Sequence, residues 1–143
     1  MPIKPENLAR YPDNWPEIRA AILERAGNRC EQCCVANGDF IVRGIDTDAG
    51  TFQRFEGDGE VYDADDGHLL GRRRASEYCG NRWTKIVLTI AHLDHTPENC
   101  DPSNLKALCQ LHHLRYDAEH HRINAWKTRH ARKAIGELFE TTL

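Results

Sequence analysis

Apolar residues first fall into register at Trp15, Ile18, Ala21 and Ile22, spaced by threes and fours as on one face of a helix. Asp13 or Asn14 can cap this helix, Pro16 suits its first turn, and Gly27 in Ala26-Gly27-Asn28 ends it. Glu17, Arg19, Glu24 and Arg25 form its solvated face. Residues 1–14, rich in proline, predict an extended lead-in. From Gly38 the period changes to two. The runs FIVRGI, GTFQRF and GEVYDA, punctuated by Gly and Asp, predict short antiparallel strands joined by turns over an insert at residues 38–82. Trp83–Ile90 is the strongest strand pattern, rich in β-branched residues, and it runs into His92. Leu105, Leu108 and Leu111 recur at threes and predict a helix over Leu105–Leu114, entered through the Asp101-Pro102-Ser103-Asn104 turn. The tail from Tyr116 to Leu143 predicts one or two helices with apolar positions Ala118, Ile123, Trp126, Ala131, Ile135, Leu138 and Phe139.

Composition limits what these elements can build. A chain of 143 residues is one domain, or one small domain with an elaboration, and 40% hydrophobic content gives a modest core. A thin core calls for a staple such as a metal. No apolar run is long enough to cross a membrane and the N-terminus is not a signal peptide, so a cytoplasmic location is expected. There, six cysteines point to metal or redox chemistry rather than disulfides.

The net charge of −3 excludes a uniformly basic binder, but the charge is segregated. From Gly38 to Leu70 nine acids stand against Arg43 and Arg54 alone. Within that run the Asp63–Asp66 cluster lacks the spacing of a calcium loop and reads as a solvated acidic loop. Arg72-Arg73-Arg74 then either touches phosphate or neutralises its acidic neighbours. Between Arg115 and Lys133 six Arg or Lys and three His face two acids. That is the composition of a phosphate-binding helical face, with Arg115, Arg122, Lys127 and Arg129 as its contacts and His120 and His121 solvated or phosphate-facing.

The metal-binding chemistry is concentrated in two knuckles. Arg29-Cys30-Glu31-Gln32-Cys33-Cys34 carries a Cys-x-x-Cys pair, with Cys33 favoured over Cys34 as second ligand by the two-residue spacing. Cys109-Gln110-Leu111-His112 repeats that gap. Cys30, Cys33, Cys109 and His112 make a structural zinc set, with His113 as the alternative fourth ligand. Closing it ties the first helix to the centre of the chain and turns metal binding into folding free energy.

Between the knuckles lies Ala91-His92-Leu93-Asp94, then Asn99-Cys100-Asp101-Pro102-Ser103-Asn104-Leu105-Lys106-Ala107-Leu108-Cys109-Gln110-Leu111-His112-His113. This order of strand, His, loop, Asn-Leu, helix, Cys-x-x-ligand and His resembles the HNH endonuclease family, whose ββα-metal motif follows it. The likeness covers roughly the twenty-five residues Thr89–His113, with the upstream Cys-x-x-Cys, and leaves the insert and tail outside. It implies an α+β fold: a small ββα-metal core over residues 86–115, braced by zinc, with flanking helices, the inserted acidic β-hairpin region and a basic helical tail over 116–143.

The resemblance implies His92 as general base, Asn104 fixing the loop that orients it, and His113 as ligand of a catalytic divalent ion, Mg²⁺ or another. The chain departs from the family's pattern at two positions. His112 stands where many members carry a second cysteine, and imidazole is an acceptable zinc ligand. Ala91 stands where many carry an Asp or His that binds the catalytic ion, which leaves Asp94 or His95 to supply that ligand. Asp94-His95 as the ligand–base pair is a second register.

The expectation is a metal-dependent endonuclease hydrolysing phosphodiester bonds in DNA, with a homodimer as one way to cut both strands. A catalytically inactive, zinc-braced nucleic-acid-binding module is the alternative. A zinc-stabilised protein-interaction domain using the acidic insert is a third.

Overall fold

A computed structural model describes residues 5–141, with side chains described to residue 135. The side chains of Leu138 and Phe139 and the first four residues of the lead-in lie outside it. Residues 1–110 and 111–143 form two compact units. No described helix is long and apolar enough to cross a membrane.

In the first unit, Pro5–Arg10 forms a 3-10 helix where an extended lead-in was expected. Its backbone bends into local turns, and the Arg10 guanidinium meets Glu98 through two bonds of 2.6 and 3.0 Å. Helix α1 spans Trp15–Arg25 and ends at Gly27 and Asn28, both in left-handed conformations. Asn14 is its N-cap residue but makes no side-chain capping bond. Ile22 is buried, with Trp15, Ile18, Leu23 and Ala26 packed around it. Ala21, expected inward, is exposed, and Leu23 fills the inner face instead.

The insert is a five-stranded antiparallel sheet in the order β4-β3-β2-β1-β5, formed by β1 Phe40–Gly44, β2 Thr51–Arg54, β3 Glu60–Asp63, β4 Leu69–Arg72 and β5 Gly80–Lys85. One row, Trp83, Val42, Gln53, Val61 and Gly71, crosses all five strands in register. Val42 and Val61 of this row pack with Tyr78 as a small core. A second row, Arg43, Phe52 and Tyr62, crosses β1 to β3, and its Phe52 and Tyr62 rings stack at 5.3 Å.

The expected single strand Trp83–Ile90 is broken in two. Strand β5 ends at Lys85, and β6, Thr89–His92, belongs to a separate two-stranded sheet. The intervening backbone is held by other partners. Ile86 exchanges bonds with Gly38 and Asp39, at 2.8 and 2.7 Å. The Gln110 amide bridges Lys85 O and Val87 N, and Asn37 Oδ1 accepts from Leu88 N. Ile86 and Leu88 are buried between these clamps.

Leu105–Leu108 is strand β7, not the first turn of a helix. It pairs antiparallel with β6, His92 opposite Leu105 and Thr89 opposite Leu108. Leucines three apart suit either element, and pairing with β6 decides between them. Ile90, Leu105 and Ala107 then join Ile22 in one cluster, so α1 lies against the hairpin. The second unit is one helix, α2, Gln110–Thr141 counted from its first residue. Its apolar positions Ile123, Trp126 and Ile135 are 42%, 53% and 55% exposed, so the tail's apolar pattern does not mark a buried face.

Candidate metal centre and hairpin loop

Both cysteines of the first knuckle are buried. Tight turns set them: Cys30 N–H donates to Val35 O, Cys34 N–H to Cys30 O, and Gln32 N–H points at Cys30 Sγ from 3.4 Å. Cys34 takes a left-handed conformation and its thiol is exposed, so Cys33 is the inward partner. The strand β7 delivers Cys109, fully buried, and His112 follows three residues later in the first turn of α2. The ligand atoms of Cys30, Cys33, Cys109 and His112 all lie within 4.8 Å of one another.

This group fits a metal ion. Tetrahedral bonds of about 2.3 Å to sulfur separate two sulfurs by about 3.8 Å, and Cys33 Sγ lies 3.8 Å from Cys109 Sγ. Thiols this close share protons. Hydrogen bonds from Cys109 and Cys33 hold the Cys30 thiol far below its ordinary value. Sharing with Cys109 and Cys30, together with burial, drives the Cys33 thiol far above it. A bound cation removes that conflict by taking all three as thiolates.

Two neighbours of this centre carry no signal in the sequence. Arg43 reads there as one of two bases in an acidic run, yet its Nη2 reaches 3.9 Å from Cys109 Sγ. Its Nη1 is buried with no hydrogen-bond partner among the described residues. A guanidinium there offsets the net negative charge that three thiolates leave around a divalent ion. Gly67 sits with φ of +78° against the first knuckle, where a Cβ would fall 1.9 Å from Cys33 O. Only glycine allows this approach of the insert to the metal centre.

Arg25, expected on the solvated face of α1, acts beyond that role together with Glu31 of the knuckle. Arg25 donates to Pro102 O, Leu105 O and both Glu31 oxygens. Glu31 accepts from Ala107 N at 2.7 Å, and its own N–H donates to Ala107 O. The outer edge of β7 is thereby satisfied by the knuckle rather than left open.

The other end of the hairpin carries the loop 93–104. His92, last residue of β6, is 8% exposed. Its ring stacks on Trp15 at 5.2 Å and meets Tyr11 edge-on at 5.7 Å, with Cys100 Sγ 3.8 Å from Nε2. Asn104 ties the loop closed. Its Oδ1 accepts from Asp94 N, and its Nδ2 donates to Asp94 Oδ1 and Asn99 O. Asp94 is exposed, and Asn99, Asn104 and the Thr96 N–H hold its carboxyl down at about 2. His95 turns out of the strand with φ of 58°. In the second unit, His113 Nε2 lies 3.1 Å from Asp117 one turn on.

Among the described residues two groups gather three or more metal-binding side chains. One is the four-residue centre and the other is Asp63, Asp66 and His68, the latter two exposed. Asp94, His95 and His113 do not form a third. Arg115, Arg122, Lys127 and Arg129 are exposed on α2. Arg115, Arg122 and Arg129 follow a seven-residue repeat that puts them on one stripe, and Arg122 is paired with Glu119.

Comparison with protein-family models, with curated proteins and with solved structures gives no match to this chain.

Proposed function

We propose that this chain is a metal-dependent nuclease of the HNH type that hydrolyses phosphodiester bonds in DNA. The observation that carries the reading is the order of elements around the motif. Strand β6 ends on His92, the loop is tied by Asn104, β7 returns to Cys109, and α2 follows at once with His112 and His113 in its first turn. The resemblance in sequence asks for two strands and a helix with those residues at those junctions.

In this reading zinc occupies Cys30, Cys33, Cys109 and His112 and braces the hairpin at the end away from the loop. Asp94 or His95, with His113, would hold a second divalent ion. Mg²⁺ keeps most of its waters and takes only one or two carboxylates, so a preformed cage is not required. Asp94 is the exposed carboxylate of this loop, its oxygens held by Thr96 N–H, Asn99 and Asn104. When bound, that ion supplies charge stabilisation at the phosphate. His92 takes the proton of the attacking water as the water oxygen bonds to phosphorus and an ester P–O bond breaks. Asn104 holds the backbone from which His92 projects. The stripe of Arg115, Arg122 and Arg129 on α2 supplies phosphate contacts.

Two observations favour a second reading. His92 is stacked on Trp15 with Tyr11 edge-on beside it, and Ala91, 1% exposed, offers no ligand. A zinc-braced nucleic-acid-binding module without hydrolysis would tolerate both. A plasmid-nicking assay separates the two. Mg²⁺-, Mn²⁺- or Ni²⁺-dependent nicking that disappears in His92→Ala, with metal content retained, is the expected result. Salt-sensitive DNA binding with no cleavage under any of these ions overturns the nuclease reading and leaves the second.

A further inference from the structure

The five-stranded sheet carries a cavity of about 670 Å³ that the proposed nuclease site does not use. Its wall includes Arg54, Arg72, Arg73 and Arg74 with the rings of Phe55 and Trp83. The sequence hides this site, because Arg72–Arg74 and Arg54 lie on opposite sides of an acidic run. Antiparallel pairing of β2, β3 and β4 brings the two stretches side by side along the wall of this cavity.

Four arginines and two acids, Asp58 and Glu77, line the cavity, and three of the four arginines are already paired with other carboxylates. These three are held in place by the fold. Arg54 Nε bonds Asp39 at 2.6 Å, Arg73 Nη1 bonds buried Asp48 at 2.9 Å, and Arg72 reaches Glu60 at 3.5 Å. Each keeps further N–H donors, since a guanidinium has five. The side chain of Arg74 is exposed and makes no hydrogen bond or ion pair with any described residue.

The two rings meet edge to face at 5.0 Å and 85°. Yet Trp83 remains 46% exposed and Phe55 62% exposed. Two large aromatic faces left in water beside fixed cations are the parts of a platform on which unpaired bases stack while arginines hold the phosphates. The depression is open to solvent on one side, and its volume suits a nucleotide-sized group. A duplex keeps its bases stacked on one another and cannot use the rings. An acidic peptide uses the arginines but leaves the rings uncovered.

We infer that the cavity walled by Phe55, Trp83 and Arg72–Arg74 binds an unpaired nucleic-acid strand, with one or two bases against the rings and the adjacent phosphates on the arginines. The inference rests on the nucleic-acid reading of the chain but not on hydrolysis at the hairpin.

The test is fluorescence anisotropy of end-labelled oligothymidylate on the metal-loaded full chain, without added catalytic ion. An unlabelled duplex of equal length and polyglutamate serve as competitors. Trp83→Ala and Phe55→Ala are each expected to weaken binding roughly 5- to 100-fold, and Trp83→Phe to restore most of it. Arg74→Ala is expected to lower the log–log salt slope by about 0.7. Metal content and circular dichroism check that these surface variants remain folded. Binding that ignores Trp83 and Arg74, or that polyglutamate or duplex displaces as well as oligothymidylate does, overturns the inference. An inactive nuclease whose oligothymidylate binding depends on Trp83 removes only the hydrolytic reading. An active nuclease whose binding ignores Trp83 and Arg74 removes only this one.

Discussion

A metal held by Cys30, Cys33, Cys109 and His112 would cross-link the chain; its loss is then expected to cost a large part of the stability, and the size follows from the chain path. Cys33 and Cys109 are 76 residues apart in sequence, and between them runs the whole insert sheet. Closing a loop of that length in the unfolded chain corresponds to about 4.5 kcal/mol of loop-closure entropy at 25 °C. Whatever intrinsic metal–sulfur affinity survives competition with water adds to that figure. Domains of this kind have net stabilities of about 5–15 kcal/mol. The perturbation is Cys30→Ser together with Cys33→Ser, which removes the first knuckle's grip on the ion with little change in volume. Urea unfolding, followed by circular dichroism, is expected to show a midpoint lower by roughly 2 M for a slope of about 2 kcal/mol per M. Elemental analysis should find the metal lost. Chelation of the wild-type chain should reproduce the shift, and chelation of the variant should add nothing. An unchanged wild-type midpoint on chelation, or a variant that keeps both its midpoint and one metal equivalent, is incompatible with a metal cross-link at this centre.

Three further outcomes follow from the same geometry. Gly67→Ala must adopt a φ of +78° and press on Cys33 O, so a loss of roughly 2–4 kcal/mol is expected together with weaker metal retention. Glu31→Ala strands the Ala107 N–H at the edge of β7 and leaves Arg25 with its two carbonyl partners but no counter-charge. A loss of about 1–3 kcal/mol is expected, and a double-mutant cycle with Arg25→Ala should be clearly non-additive. Asp94 has its carboxyl held at about 2 in the fold, against about 3.9 in an unfolded chain. Its folded-state value is depressed, so its contribution is complete above about pH 4 and fades as pH falls through about 2. Amide exchange at Thr96 should lose protection over that window in wild type, but not in Asp94→Asn.

Much of the metal centre was legible before folding was considered, because ligand spacing within a knuckle is a local property. Two residues between donors let both reach one ion, which selects Cys33 over Cys34 and pairs His112 with Cys109. The turn residues around α1 and the alternation of the insert were legible for the same reason. Elements whose pattern fits two periods were not. Leu105 and Leu108 serve a helix or a strand equally, and Trp83–Ile90 reads as one strand although it serves two sheets.

The sequence by itself determined which side chains can hold a metal, since their chemistry and short-range spacing are fixed by covalent structure. Tertiary structure decided what surrounds them. It put Arg43 beside Cys109, Glu31 along the edge of β7, Trp15 and Tyr11 over His92, and arginines from distant strands around Phe55 and Trp83. These are contacts between residues far apart in the chain. Strand pairing sets them, and no local period encodes which strands will pair.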